Sequence, residues 1–191
     1  MVLDFKNEWF AAFGRVESNS RMLVWGGSGQ GKSRFVLQLA KYLSNFCRVA
    51  YNSLEMGDSL ALGDALVAEG IDKNIIILNR ETIEQVTARM KKRKSPDVLI
   101  VDSLQYFRHN DGNGMNYKNY IKFSHSLADK MLIFVSHADH KEPAGRVAKS
   151  VRYDVDVKIM VQGFKAFVTS RYGGGAPITI WEEGAKEYWG I

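Results

Sequence analysis

The sequence predicts an α/β fold: a mostly parallel, twisted sheet with helices on both faces, followed by C-terminal antiparallel strands. Three observations carry this expectation. From about residue 20 to residue 136, short apolar runs alternate with amphipathic segments, which is the pattern of strand–helix units. The run VLIV (98–101) is apolar at every position, as in a strand covered on both faces. Beyond about residue 155 the chain reads as several short strands with tight turns at Gly163, Gly173–Gly175 and Gly184.

The elements follow in order. RMLVWGG (21–27) reads as a strand running into glycines, and KSRFVLQLAKYLSNF (32–46) as a helix. In that helix Phe35, Leu39, Leu43 and Phe46 recur at three- and four-residue steps, which builds one apolar stripe. RVAYNSL (48–54) is strand-like, a helix over about 59–69 should stop at Gly70, and IIIL (75–78) is another short strand. ETIEQVTARMKKRK (81–94) begins with acids and ends with Arg89, Lys91, Lys92, Arg93 and Lys94. That order complements a helix dipole at both ends, which explains the basic run better than a nucleic-acid patch does. After Ser95-Pro96 comes the strand VLIVDS, then a polar, glycine-bearing loop (about 107–116), a further helix and the strand MLIFVS (131–136). Tyr106 and Phe107 read as core anchors at a strand exit, and the loop beside them as a candidate contact for nucleic acid.

Length and composition bound the rest. At 191 residues the chain is expected to form one domain over 1–191, with residues 1–20 as an N-terminal extension. The apolar share of 46% and charged share of 25% exclude a largely disordered or collagen-like chain. A single cysteine, Cys47, cannot form an internal disulfide. One Cys and four scattered His also exclude a zinc-finger pattern. No stretch approaches the roughly 20 apolar residues that cross a bilayer, and the acidic start with Asp4 and Glu8 is unlike a signal peptide. A cytoplasmic protein with no membrane contact is the expectation. The 26 Lys and Arg against 21 Asp and Glu leave a net charge of +5, which permits contact with nucleic acid without requiring it.

GGSGQGKS, from Gly26 to Ser33, fits G-x-x-x-x-G-K-[ST] in full. Glycines let backbone N–H groups turn inward around phosphates without a Cβ clash. Lys32 is then placed on the β- and γ-phosphates, and the Ser33 hydroxyl helps to hold Mg²⁺. The motif lies between a predicted strand and a predicted helix, the context it needs. The expected nucleotide contacts are Gly26, Gly27, Ser28, Gly29, Gln30, Gly31, Lys32, Ser33 and Arg34.

Asp102 ends a buried strand, at the edge of an open parallel sheet where ligands bind. A carboxylate there suits Mg²⁺ opposite Lys32; a cap on the next turn is the plainer alternative. Glu55, in YNSLEM, ends another strand at the same edge. A glutamate beside the γ-phosphate would orient and deprotonate water, although an exposed Glu at a strand end is commonplace.

Together Gly26–Ser33, Glu55 within SLEM and Asp102 within VLIVDSLQ resemble the RecA-type P-loop ATPases, and most of all the ATPase domain of DnaB-type replicative helicases and their RadA-like relatives. The resemblance covers roughly residues 20–182. It implies that Glu55 activates water, and that His137, after the strand MLIFV, contacts the γ-phosphate from a position the family usually fills with Gln, Asn or His. TSRYGGGAP (169–177) is similar to the family's K-x-R-N-G-P stretch, so Arg171 matches an arginine that reaches a neighbouring subunit's site, while Thr169 replaces a common Lys. The segment with Lys141, Arg146, Lys149 and Arg152 matches the channel-facing region that contacts single-stranded DNA in hexameric relatives; a solvated loop is the plainer reading.

The resemblance thus implies an ATPase using ATP and Mg²⁺, assembled as a homo-oligomeric ring or filament and acting in nucleic-acid metabolism. The chain has only about 20 residues before its first strand, without a replicative helicase's further N-terminal domain. Two alternatives stand beside it. One is an ATP-dependent assembly switch that partners a helicase or recombinase, and the other a small-molecule kinase, for which no arginine-rich lid or acceptor pocket is visible.

Overall fold

The computed structural model describes residues 1–71 and 74–191. Its elements are α1 (Asn7–Phe13), β1 (Arg21–Gly26), α2 (Lys32–Leu43), β2 (Val49–Ser53), α3 (Leu60–Ala68), β3 (Ile75–Asn79), α4 (Ile83–Met90) and β4 (Val98–Asp102). They continue with α5 (Tyr117–Ser126), β5 (Met131–Asp139), β6 (Glu142–Pro143), α6 (Arg146–Asp154), β7 (Val157–Gln162), β8 (Lys165–Ser170), β9 (Ile178–Thr179) and α7 (Glu182–Trp189).

The sheet order is β3-β2-β4-β5-β1-β7-β8-β9, with β6 paired to the end of β5. The first six strands are all parallel, and β8 and β9 are added antiparallel. The expected fold class is therefore the observed one. Alternation along each strand divides the core in two. Val98 and Ile100 join the apolar cluster that includes Phe13, Phe35, Leu39 and Leu62, so α1, α2 and α3 cover one face. Leu99 and Val101 join Val86, Phe123 and Val151, so α4, α5 and α6 cover the other.

Four local readings are corrected. The helix expected over 81–94 is only Ile83–Met90, opened by a capping box between Thr82 and Gln85. The run 91–94 therefore lies at and beyond its end. The basic segment around 146–152 is helix α6, not a loop. Gly184 marks no turn: it lies inside α7, where a Cβ would fall 2.2 Å from the Trp181 ring. The first twenty residues hold α1, whose Trp9 stacks on Tyr42 at 4.6 Å between ring centres while Phe5 and Phe13 are buried.

Every parallel strand presents its carboxyl end to one edge of the sheet. Gly26, Ser53, Asp102 and the region of His137 lie there together. β1 begins its crossover to β2 from this edge, passing over β5 and β4, and ligands of open α/β sheets bind at such reversals.

Candidate nucleotide site

The site starts where β1 runs into the glycines. Gly26 packs against β7 so closely that a Cβ would sit 2.4 Å from the Val161 carbonyl oxygen. It is a packing residue and does not line the crevice. The chain then turns through Gly29 and Gly31, at φ 70° and 93°, conformations that glycine adopts without a Cβ penalty. Gly31 caps α2 without any side-chain hydrogen bond to the first turn. The N–H groups of that turn are unclaimed by a side-chain cap and carry the positive end of the helix dipole, an anion-binding arrangement.

A cavity of about 450 Å³ opens above this turn. Its walls include Gly27, Ser28, Gly29, Gly31, Lys32, Ser33 and Arg34 from the loop and helix, and Glu55, Asp102 and His137 from the ends of three other strands. Ten of the thirteen distinct residues expected at the site thus meet around one space. Gln30 does not line it. Its side-chain oxygen accepts from the Gly163 N–H at 2.7 Å, and its carbonyl accepts from the Phe164 N–H at 3.2 Å, so it ties the loop to the β7–β8 turn.

Asp102 is the buried acid of the cavity, with 6% of its surface exposed. The Tyr51 hydroxyl donates to its Oδ2, and the Tyr51 ring is itself buried. Burial holds the Asp102 carboxyl above the ordinary carboxylate range; the Tyr51 hydrogen bond and the Lys32 charge pull it back, and Glu55 adds to the upward push. Burial, with Asp102 second, likewise raises Tyr51 well above the ordinary tyrosine value. With Oδ2 claimed by Tyr51, the other oxygen is left for a ligand. Ser33 and Asp102 are hard oxygen donors on the wall that also carries Lys32. That donor set fits Mg²⁺, which keeps waters and phosphate oxygens and needs only one or two protein ligands.

The main chain places Glu55 beside Asp102. The Asp102 carbonyl accepts from the N–H groups of Leu54 at 2.7 Å and Glu55 at 3.2 Å. The Glu55 carboxylate lies 3.4 Å from His137 Nε2, and the His137 ring meets Tyr106 edge-on at 6.2 Å. Ser136, buried just before His137, accepts from Gln105 Nε2 at 2.7 Å, and the same nitrogen reaches the Ala144 carbonyl at 3.1 Å. Gln105 thereby links the exit of β4 to the exit of β5.

The remaining walls were not legible from motifs. Trp181, from the approach to α7, meets Phe164 edge-on at 5.1 Å, and both line the cavity with Met56. The Arg34 guanidinium lies 5.8 Å from the Trp181 ring while its Nε bonds Glu69 at 2.6 Å. These aromatic walls come from the C-terminal strands, over a hundred residues from the phosphate loop, and no local spacing announces them.

Arg171 is elsewhere. β8 runs antiparallel to β7, pairing Lys165 with Gln162 at the phosphate-loop edge and Ser170 with Val157 at the other. Six residues of strand, about 20 Å, separate Arg171 from the level of the cavity. There it pairs with Asp156 at 3.0 Å. Of the basic group near α6, Lys149 lies 3.8 Å from Asp139 and Arg152 is paired with Glu142. Lys141 and Arg146 have no such partner among the described residues. No described helix is long and apolar enough to cross a membrane.

No protein-family model matches the sequence, and no curated protein sequence matches it. Solved structures do. The ATPase domain of a DnaB-type helicase superposes with a TM-score of 0.60 at 18% identity, covering 85% of this chain and 81% of that one. The flagellar accessory protein FlaH from Methanocaldococcus jannaschii does so with a TM-score of 0.60 at 16% identity, covering 87% and 85%. Strand order, phosphate loop and structural neighbours agree: the chain has the fold of the RecA-like P-loop ATPase domains.

Proposed function

We propose that this chain binds ATP with Mg²⁺ in the crevice above α2 and hydrolyses it, working as an assembly in nucleic-acid metabolism. One observation carries the reading: Lys32, Ser33, Asp102 and Glu55, from three separate strand ends, line one cavity. The loop N–H groups and Lys32 hold the phosphates and stabilise the charge that develops on them. Ser33 and Asp102 would hold Mg²⁺, which supplies charge neutralisation at the β- and γ-phosphates. Glu55 takes the proton of the attacking water, with His137 beside it to sense the γ-phosphate. Trp181 and Arg34 offer a flat face for the base. Arg171 serves a neighbour's site and not its own, because its strand carries it to the far edge of the sheet. Lys141 and Arg146 are the two side chains of the basic group left free for a nucleic-acid backbone. A cytoplasmic location accompanies this reading.

The second reading is an assembly switch with little turnover. It draws on Arg171 being held by Asp156 within its own chain. Steady-state ATP hydrolysis with and without single-stranded DNA, at several protein concentrations and one salt concentration, separates the two. A motor shows DNA stimulation and activity per chain that rises with concentration. Background turnover despite tight ATP binding would favour the switch. ATP affinity unchanged in Lys32→Ala would sink both.

A further inference from the structure

A second cavity, of about 500 Å³, opens on the other side of Glu55. Its walls leave the carboxyl ends of β2, β3 and β4, with Arg80 on one side and Tyr106 and Arg108 on the other. The acids around it are already engaged: Glu81 pairs with Arg89, and Glu84 lies 2.5 Å from His109 Nδ1. Among the described residues neither Arg80 nor Arg108 has a carboxylate within ion-pair distance. Glu55, on the shared wall, faces His137 instead.

Arg80 is held in an unusual way. Its backbone is left-handed at φ 51°, uncommon for a residue with a Cβ. Its guanidinium folds back over the turn that follows Glu55, and it has room only because residue 57 is glycine: a Cβ there would fall 2.8 Å from Arg80 Cζ. The Leu54 and Glu55 carbonyls lie 3.4 and 3.5 Å from its nitrogens. Those are long contacts, so most of its donor capacity is unspent. Arg108 is exposed, and its side chain donates to the Gly112 carbonyl at 3.2 Å. The rim is stiff. The Arg108 carbonyl accepts from Ile83 N–H at 2.9 Å, and Glu84 accepts from Asn110 N–H at 2.9 Å. Two guanidiniums with spare donors match a phosphate, and the exposed Tyr106 ring offers a stacking face. The volume suits one nucleotide.

We propose that this cavity is a second ligand site for a phosphate-bearing nucleotide unit, with the phosphate between Arg80 and Arg108 and the base on Tyr106. A free mononucleotide and a unit within a single strand share that chemistry. A phosphate that draws Arg80 outward removes its contacts with the Leu54 and Glu55 carbonyls, so occupancy changes what holds Glu55. This coupling rests on the proposed hydrolysis; the binding does not.

Binding of thymidine monophosphate and of a labelled oligothymidylate is measured on the full chain, with and without a non-hydrolysable ATP analogue, for wild type, Arg108→Ala and Arg80→Gln. Affinity for the analogue is measured separately. At least one probe should bind wild type, and each substitution should weaken it roughly tenfold or more while affinity for the analogue is retained. Binding of the monophosphate identifies a free small molecule as the source, and binding of the oligomer alone identifies a strand. The proposal is overturned if neither probe binds wild type, or if the exposed-site variant Arg108→Ala binds both as tightly as wild type. Failure of wild type to bind the analogue would count against the first site alone, because probe binding is also read without it.

Discussion

Tyr51→Phe removes one hydroxyl and keeps the ring, so it isolates the hydrogen bond to Asp102. Both groups are buried, and a hydrogen bond to a charged group contributes about 1.5–3 kcal/mol. For a chain of this length each kcal/mol moves Tm by about 2–4 °C, so Tm should fall by roughly 4–8 °C in nucleotide-free protein at neutral pH. The sign with pH follows from Asp102, whose carboxyl burial raises. The favourable contribution of such a group is present below its ordinary value and is lost as pH rises through the raised one. Tyr51 stabilises the ionised form, so its removal raises the group further and widens that window. The gap between wild type and Phe variant should shrink on acidification. In an Asp102→Asn background, where the partner is neutral, the cost of Tyr51→Phe should fall to half or less. The same substitution should weaken the gain in ATP-analogue affinity that Mg²⁺ confers. Thermal unfolding followed by circular dichroism, at several pH values, measures the first three. A Tm loss that stays equal in the Asp and Asn backgrounds would refute the reasoning.

Two further expectations concern the nucleotide crevice. Arg171→Ala should leave ATP affinity within about twofold while lowering turnover by about a thousandfold or more, and mixing it with Glu55→Gln protein should restore part of the activity. No recovery on mixing would remove the composite-site reading. Trp181→Leu should weaken ATP affinity roughly five- to hundredfold, the range for loss of an aromatic stacking face, by isothermal titration. An unchanged affinity would mean that the base lies elsewhere.

The phosphate loop was legible because its chemistry demands residue types at fixed spacing, and Asp102 and Glu55 because each closes an apolar run at the same edge. The order of β2, β4 and β5 beside β1 was not, since pairing is a long-range choice. Tyr51 lies 51 residues from Asp102, and only the rule that a buried hydroxyl needs a partner hinted that it had one. Helix α6 was missed because Gly145 gives it no side-chain cap. Tertiary packing supplies what the local signal lacks: Val151 is buried, and Arg152 lies 5.3 Å over the Trp25 ring. Gly184 misled in the opposite direction. Its missing side chain makes room for Trp181 within a helix and does not serve a turn.

The ion pair between Arg171 and Asp156 is the main structural argument for a protein that switches without turning over. Its weight is limited. The Arg171 side chain is 63% exposed, and a pair so open to solvent is worth about 0–1 kcal/mol. A neighbour's phosphate outcompetes that easily. Asp156 keeps an independent task in either state, accepting from the Arg21 N–H at 2.8 Å. The turn beyond Arg171 is already built, because Gly175 N–H donates to the Ala12 carbonyl at 2.8 Å and Ala176 N–H to the Ala11 carbonyl at 3.1 Å. Releasing the side chain therefore costs little and requires no refolding of the loop that carries it. What separates motor from switch is then not whether Arg171 is free to move, but whether an assembled neighbour places Glu55 and water in line with the phosphate it reaches.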